Sequence, residues 1–438
     1  MAYTVGIYTL GCKVSQYESI AISEGFEALG FLVLPFEEKC DVYVINTCTV
    51  TAESDRKCRQ MIRRACGKGA LVFVCGCYSQ VSPEEVKRID GVHYISGNYN
   101  KNAIASIAKE MLDKGDTPSS PTVNVHDIDT CGFENMQIHR ASRTRVYIKI
   151  EDGCESRCTY CIIPAARGRI RSKLPEDVIR EAEYLAKTGV KEIVLTGIET
   201  ASYGRDIGSV RLIDIIEKVA KIDGIERIRL GSLDPSSINE DFVLRAAAEP
   251  KLAPHFHLSM QSGSSAVLAR MKRKYNAEQA MAKIDLIRSH IKDATFTTDM
   301  MVGFPAESEE EFTETLDFAR RAEFLFIHVF PYSKRRGTPA AEYAGQIPEA
   351  EKHERVKRLS AVRDETAQKV REKLLPCGSV VDVLFETCRD GYALGHTANF
   401  FEVKVACDED IQGEIRKVAI VDNSCEICAG EIVYLSER

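Results

Sequence analysis

Three cysteines packed into one short loop constrain this chain more than any other feature. Cys154, Cys158 and Cys161 form a C-x3-C-x2-C run within Glu151–Cys161, with Tyr160 just ahead of the last cysteine. The preceding Arg145–Ile150 alternates as a strand does, and Leu174–Lys187 has a helical pattern. The cysteines therefore belong to the loop that leaves the first strand of an α/β unit. Three thiolates on so short a loop can converge on one cube of iron and sulfide. A tetrahedral structural zinc would need a fourth ligand, and the sequence offers none close by. A cube held by three cysteines keeps one iron free to bind something else.

The rest of the chain must build a scaffold for that loop. At 438 residues it is too long for one hydrophobic core and should divide into two or three domains. Sixteen cysteines point to a reducing compartment, the cytoplasm, with thiols kept for metal rather than disulfides. No apolar run is long enough for a membrane span, and the first residues, MAYTVGIYTLGCK, do not read as a secretory signal. A net charge of −7 argues against general adhesion to nucleic acid and leaves only a local basic surface for it.

Residues 1–115 read as an N-terminal parallel-sheet α/β domain. Strands are expected at Thr4–Leu10, Asp41–Asn46, Leu71–Cys75 and Val92–Ser96, with helices near 16–29 and 51–66 and another opened by Ser82-Pro83-Glu84-Glu85. Ligands gather at the carboxyl ends of such strands. Cys12, Cys48 and Cys77 each close one of these strands, behind Gly11, Thr47 and Gly76. Singly, each reads as a buried cysteine; sharing one sheet edge, they read as a second three-cysteine site, assembled by the fold. Cys40, Cys58, Cys66, Cys75 and Cys131 lack that setting and read as structural.

Residues 116–142 are rich in turn formers and read as a linker. From 143 to 375 six further strands alternate with helices: Arg145–Ile150, Glu192–Thr196, Arg227–Leu230, His255–Leu258, Thr295–Thr298 and Phe326–Phe330. Helices are expected near 175–187, 209–221, 239–248, 277–290 and 308–322, with a long one at 348–374. Six units are too few to close an eight-stranded barrel, so an open partial (β/α)6 barrel is expected, with its site at the strands' carboxyl ends. Residues 376–438 turn to short strands, a small all-β barrel or sandwich, the last strand at Glu431–Leu435. Cys425 and Cys428 there lack a second pair to complete a zinc site.

The cysteine loop at the first strand of a partial barrel resembles the radical S-adenosylmethionine (SAM) superfamily. With the N-terminal cysteines the resemblance narrows to the methylthiotransferases. TLGCKVSQYES, NTCTVTAES and CGCYSQ look like that family's three N-terminal signatures, and GCESRCTYCIIPAARGRIRS like its central one. LTGIETASYG, SMQSGSSAVLARMKRKY, TTDMMVGFPAESEEEF and HVFPYSKRRGTPA follow in the family's order, and the C-terminal stretch resembles the TRAM module. The resemblance implies two 4Fe-4S clusters. One, on Cys154, Cys158 and Cys161, binds SAM and generates a 5′-deoxyadenosyl radical. The other, on Cys12, Cys48 and Cys77, carries or donates the sulfur that is installed. It also implies SAM contacts at Tyr160, Thr196, Gly197, Glu199, Ser232, Gln261 and Asp299.

The resemblance further implies an electron donor such as a flavodoxin or ferredoxin, a sulfur donor, and tRNA as the substrate. The branch that TLGCKVSQYES and CIIPAARG most resemble methylthiolates C2 of N6-threonylcarbamoyladenosine next to the anticodon. N6-isopentenyladenosine, a ribosomal-protein aspartate, and a non-catalytic iron–sulfur sensor or RNA-binding role are the alternatives. Ser15 and Ala306 depart from the family's asparagine and glycine.

Residues 140–173 hold nine Lys/Arg against three Asp/Glu. A basic lip of Arg167, Arg169, Arg171 and Lys173, with Lys334, Arg335 and Arg336 on the same rim, would attract phosphates. The last 63 residues are acidic, with Phe400, Phe401 and Tyr392 as candidate stacking residues that also suit a core. Both cysteine triads should face one shared cavity. Under anaerobic reconstitution, Cys12→Ala and Cys154→Ala should each remove one cluster and spare the other. Iron analysis checks this; loss of all iron from either single substitution would refute two independent sites.

Overall fold

The computed structural model describes residues 2–115, 118, 120–140, 144–208 and 210–434. Residues 116, 117, 119, 141 and 142 of the expected linker lie outside the described residues. So do residue 143, residue 209 at the expected start of a helix, and Leu435 at the expected end of the last strand.

The N-terminal sheet has six parallel strands. They are β1 (Thr4–Thr9), β2 (Leu32–Leu34), β3 (Val42–Thr47), β4 (Leu71–Gly76), β5 (Tyr94–Ser96) and β6 (Thr122–Asn124), in the order β2-β1-β3-β4-β5-β6. Strands β3 and β4 are buried along their whole length, which is why they read as near-continuous apolar runs. Strands β2 and β6, three residues each, are too short for an apolar period to register. Strand β6 falls within the stretch expected as a linker and pairs with β5. Met136 and Ile138 of that stretch are buried in the core, so its far end is packed as well. The strand order reverses at β1 and β3, and ligand crevices in open α/β sheets form at such a switch point. Cys12 and Cys48 follow those two strands, and Cys77 follows β4 next door.

The central segment opens with β7 (Arg145–Lys149), then a short antiparallel pair, β8 (Glu151–Asp152) with β9 (Arg171–Ser172). It continues with β10 (Glu192–Thr196), β11 (Arg227–Leu230), β12 (His255–Gln261), β13 (Thr295–Val302) and β14 (Phe326–Pro331). β7, β10 and β11 pair in parallel, as do β12, β13 and β14, and bridges Ile228–Leu252 and Leu233–Leu258 join the two sets. Six parallel strands in chain order make the partial barrel. Strands β12 and β13 run further than their apolar pattern indicated because their carboxyl ends carry polar residues that line a cavity: Ser259, Gln261 and Asp299. Ala306, beyond β13, has φ +60, the left-handed region that explains the family's glycine there.

Strands β15 (Val380–Arg389), β16 (Tyr392–Thr397), β17 (Glu402–Ala406), β18 (Ile415–Asp422) and β19 (Ile427–Ile432) close into a barrel in the order β15-β16-β17-β19-β18. Closure leaves no exposed sheet edge. This barrel seats against the amino ends of the central strands. The Phe400 ring stacks on His255 with centroids 4.4 Å apart, and the guanidinium groups of Arg145 and Arg229 lie 5.2 and 4.8 Å from it. Phe400 is thus a packing residue, and Phe401 lies in the barrel core. Only Tyr392 stays exposed, with Lys404 Nζ 3.7 Å from its ring centroid. Among the described residues no helix is long and apolar enough to cross a membrane.

A buried charge cluster joins the first two segments. Glu18, on the helix Lys13–Ala28, pairs with Lys101, with Lys149 (2.8 Å) and with Arg167 (2.6 Å); Lys149 also meets Asp152 at 2.6 Å. None of the five is appreciably exposed. Burial pushes the Glu18 carboxyl up, but Arg167, Lys101 and Lys149 outweigh it and hold it well below the usual range. Asp152 is lowered the same way, against burial, by Arg167 and Lys149. Glu18→Ala would leave three cations buried around one carboxylate. A loss of about 3–5 kcal/mol in denaturant unfolding is expected, the cost of breaking a buried ion pair from one side. Because both carboxyls are lowered in the folded state, their contribution is full above the unfolded carboxyl pKa and fades as pH falls through the folded values. The wild type should thus lose stability in acid more steeply than Glu18→Gln.

Candidate active site

The loop after β7 is clamped at its base and along its length. The β8–β9 pair closes its two ends, and Cys154 N–H donates to Gly168 O at 2.9 Å. Thr159 is held at both ends: its N–H donates to Met271 O (3.1 Å) and its Oγ1 to Arg270 O (3.0 Å). Its carbonyl accepts from Ala340 N–H at 2.8 Å. The loop is thereby fixed to the barrel's far side, and its three thiols open on one cavity of about 310 Å³ at the strands' carboxyl ends. That volume lies at the lower end of the usual range for small-molecule sites.

Of the residues expected to contact SAM, Tyr160, Glu199, Ser232, Gln261 and Asp299 line this cavity with Cys154, Cys158 and Cys161. Thr196 and Gly197 lie behind it. Thr196 O accepts from Ile150 N–H at 2.9 Å, tying β10 to the start of the loop. A Cβ on Gly197 would fall 2.5 Å from Glu151 Oε2, so only glycine lets that carboxylate in. Glu151 is fully buried, and its Oε2 accepts from Glu199 N–H at 2.8 Å. Burial, opposed by that hydrogen bond, holds its carboxyl well above the usual range.

Asp299 lies between His257 Nε2 and His328 Nδ1, each 3.3 Å away. Burial would raise its carboxyl, yet the two histidines hold it well below the usual range. Arg273 was not singled out in the sequence, although it lies in the motif SMQSGSSAVLARMKRKY. It lines the same cavity, donates from Nη1 to Cys158 Sγ at 3.3 Å, and pairs with Asp234 at 2.7 Å. Only the fold brings it to the cysteine loop.

The N-terminal three occupy adjacent strand ends. Cys77 Sγ accepts from Arg167 Nε (3.2 Å) and from Asn98 Nδ2 (3.3 Å). Gly76 has φ +102, and a Cβ there would lie 2.5 Å from Thr47 O, so the strand turns into Cys77 only with glycine. Burial pushes the Cys48 thiol up to about 11, with Cys77 and Cys12 beside it adding to the rise. Burial likewise pushes Cys154 up to about 12 and Cys161 up to about 11. Thiols so placed stay protonated until a cation replaces the proton, which is how metal loading couples to deprotonation. Cationic and amide donors aimed at Cys158 and Cys77 sulfur suit thiolates, and no described cysteine is in a disulfide. The donor set fits two iron–sulfur clusters.

The two triads do not share one lining. The cavity of the loop cysteines reaches the N-terminal sheet through Val50 and Thr51, just past Cys48, while Cys12, Cys48 and Cys77 themselves are not among its walls. The basic lip needs a larger correction. Arg167, Arg171 and Lys173 are buried, paired with Glu18, Asp152 and Glu181 respectively. Arg335 is also buried, bridging to Asp55 at 2.5 Å and Thr49 Oγ1 at 2.6 Å. Sequence counts these as surface charges because their carboxylate partners are distant in the chain. Arg169, Lys334 and Arg336 are exposed.

Fold and cysteine loop together define a radical SAM enzyme. Residues 148–319 match the Radical SAM superfamily, and residues 4–97 match the family described as Uncharacterized protein family UPF0004. A radical S-adenosylmethionine methyltransferase, TsrM, from Kitasatospora setae superposes with a TM-score of 0.58, covering 78% of this chain and 77% of that one at 16% identity, a likeness of fold. Threonylcarbamoyladenosine tRNA methylthiotransferase MtaB of Bacillus subtilis is 38% identical over 99% of this chain and 97% of its own length. MtaB of Thermotoga maritima is 39% identical over 85% and 84%. The tRNA-2-methylthio-N(6)-dimethylallyladenosine synthase of Caldicellulosiruptor saccharolyticus is 32% identical over 98% and 92%. The chain belongs to the radical SAM methylthiotransferases, transferases whose cofactors are SAM and 4Fe-4S clusters. Gly76→Ala should cost about 1–3 kcal/mol of stability, the price of a forced backbone at such a position. A thermal melt checks it, and an unchanged midpoint would show that β3 can yield.

Proposed function

We propose that this chain methylthiolates C2 of N6-threonylcarbamoyladenosine beside the anticodon of tRNA. The observation that carries the reading is the approach of two three-cysteine groups from separate sheets, one lining a cavity whose far wall begins two residues past Cys48. The full-length similarity to proteins named for this reaction supports the nucleoside, since relatives named for the dimethylallyl nucleoside are less similar at 32–33%. In this reading Cys154, Cys158 and Cys161 hold one cluster and Cys12, Cys48 and Cys77 the other. Tyr160, Glu199, Ser232, Gln261 and Asp299 bind SAM, with Thr196 and Gly197 shaping the wall behind them. When bound, these cofactors supply a radical able to activate an unreactive C–H bond, and the sulfur and methyl group that replace the hydrogen.

The chain's own residues orient and shield. Arg273 and Arg167 place a positive charge against one sulfur of each triad, and hydrogen bonds to cluster sulfurs are one means by which proteins tune such centres. Val50, Ile162, Ile163, Met301 and Phe330 give the cavity apolar walls that limit water around a reactive intermediate. Exposed Arg169, Lys334 and Arg336 are the remaining candidates for phosphate contact. A flavodoxin- or ferredoxin-like electron donor and a separate sulfur donor complete the reaction in a reducing cytoplasm, consistent with the unpaired cysteines. Of the expected domains, 143–375 and 376–438 are kept in this reading, and the pairing of β6 with β5 extends the N-terminal unit past residue 115 into the stretch 116–142.

Mass spectrometry of tRNA nucleosides from cells with and without the gene tests the assignment. The expected result is loss of the 2-methylthio form of threonylcarbamoyladenosine with its isopentenyl counterpart intact. Loss of the isopentenyl counterpart instead would overturn it.

A further inference from the structure

A second cleft, of about 370 Å³, adjoins the active cavity. The two share the loops that leave β10 and β11. Ser232 and Asp234 line the active cavity, while Leu233 between them lines the neighbour. Ile198 and Glu199 likewise wall the first, and Ala201 and Tyr203 the second. A ligand that extends out of the active cavity across residue 233 has this cleft as its next recess.

The walls of the cleft are held in place. Tyr203 is buried, and its hydroxyl donates to Lys173 O at 2.9 Å. Gly204 N–H donates to Ser172 Oγ at 2.8 Å, and Gly208 N–H to Gly204 O at 2.8 Å. Gly204 has φ +86, and a Cβ there would lie 1.7 Å from Val210 O, so the turn closes this tightly only with glycine. Leu233, Ile238 and half-buried Phe242 add apolar surface, and two exposed arginines, Arg205 and Arg211, line the cleft with them. Arg205 Nη2 donates to Ser237 Oγ at 3.1 Å, and neither guanidinium pairs with a carboxylate among the described residues. The nearby acids are engaged elsewhere: Asp206 accepts from Ser172 N–H at 2.9 Å, and Asp241 lies 3.8 Å from Arg245 Nη1.

We propose that this cleft binds the base of a nucleotide adjoining the target adenosine, with Arg205 and Arg211 on the flanking phosphates. The proposal rests on the functional reading above. Bases of single-stranded RNA stack on aromatic rings and guanidinium planes, while cationic side chains follow the phosphates. The cleft offers both: the Phe242 ring among aliphatic side chains, and two cations without a carboxylate. A purely apolar ligand would leave the arginines unused, and a bare anion would leave the apolar walls unused. An RNA chain that delivers one base to the active cavity must carry the next base along the same rim, where Leu233 divides the two recesses. Because the walls are already braced, little ordering would be lost on binding.

The test measures binding of the cluster-loaded enzyme to a tRNA anticodon stem-loop carrying threonylcarbamoyladenosine, over a range of salt concentrations. Arg205→Gln combined with Arg211→Gln should weaken binding and reduce the salt slope by about 1.4, from about 0.7 for each of two phosphate contacts to a single strand. Phe242→Leu, which keeps apolar volume without the ring, should weaken binding about tenfold, the order of one lost base stack. Two further stem-loops lack the base on the 5′ or the 3′ side of the target. One of them should bind the wild type about tenfold more weakly, yet bind Phe242→Leu as well as the intact stem-loop does. Iron content and RNA-free cleavage of SAM should match the wild type in each variant, which separates a lost contact from lost folding. An unchanged salt slope in the arginine variant overturns the proposal, as do additive losses between Phe242→Leu and both missing bases. An arginine variant that binds RNA normally but accepts electrons more slowly from reduced flavodoxin would assign the surface to the electron donor, and also overturns it. Each of these results leaves the functional reading standing while the wild type modifies the intact stem-loop. A wild type that neither binds nor modifies it refutes that reading, and the proposal with it.

Discussion

The guanidinium of Arg167 is the contact on which the rest of the active region depends. It leaves the barrel six residues after Cys161, and is buried against Glu18 of the N-terminal helix and Asp152 of the loop's own clamp. Its Nε meanwhile donates to Cys77 Sγ, at the end of a strand in the other sheet. Charges this deep cost several kcal/mol each to desolvate, so the arrangement is stable only when all partners are present. The two sheets therefore cannot drift apart without breaking the buried pairs of Glu18 with Lys149 and Arg167. One salt-bridged cluster fixes how the two cysteine groups, encoded far apart, stand relative to each other.

Around that fixed geometry the thiols are poised rather than reactive. Burial raises Cys48, Cys154 and Cys161, so the free thiols resist ionisation, while arginines stand ready beside Cys77 and Cys158. The same arginines that stabilise the apoprotein's packing would stabilise thiolates once iron displaces the protons. Packing and metal chemistry use the same side chains here, which explains why long cations are buried so close to the cavity.

The closed C-terminal barrel contributes differently. Its Phe400 plugs the amino end of the partial barrel against His255, Arg145 and Arg229. The acidic module also lines a separate cavity beside Asp299, through His396, Phe400, Phe401, Glu402 and Glu426, a role separate from any contact with RNA.

Much of this was legible beforehand because it is local. The C-x3-C-x2-C spacing, the alternation of β7 and β10, and the helix at 175–187 each depend on residues close in the chain. The three strand-end cysteines could be grouped because parallel β/α alternation places carboxyl ends on one edge. What the sequence could not reveal were pairings between distant residues. Arg167, Arg171, Lys173 and Arg335 read as a basic surface, yet each meets a carboxylate or hydroxyl brought from elsewhere by the fold. Arg273 gained its position the same way, and β2 and β6 exist only because a neighbouring strand offers them hydrogen bonds. The sequence by itself determined which cysteines group together and on which kind of scaffold, since spacing and period are properties of the chain. Tertiary structure alone decided which charges are buried and which are free, because an ion's solvation depends on what folds over it.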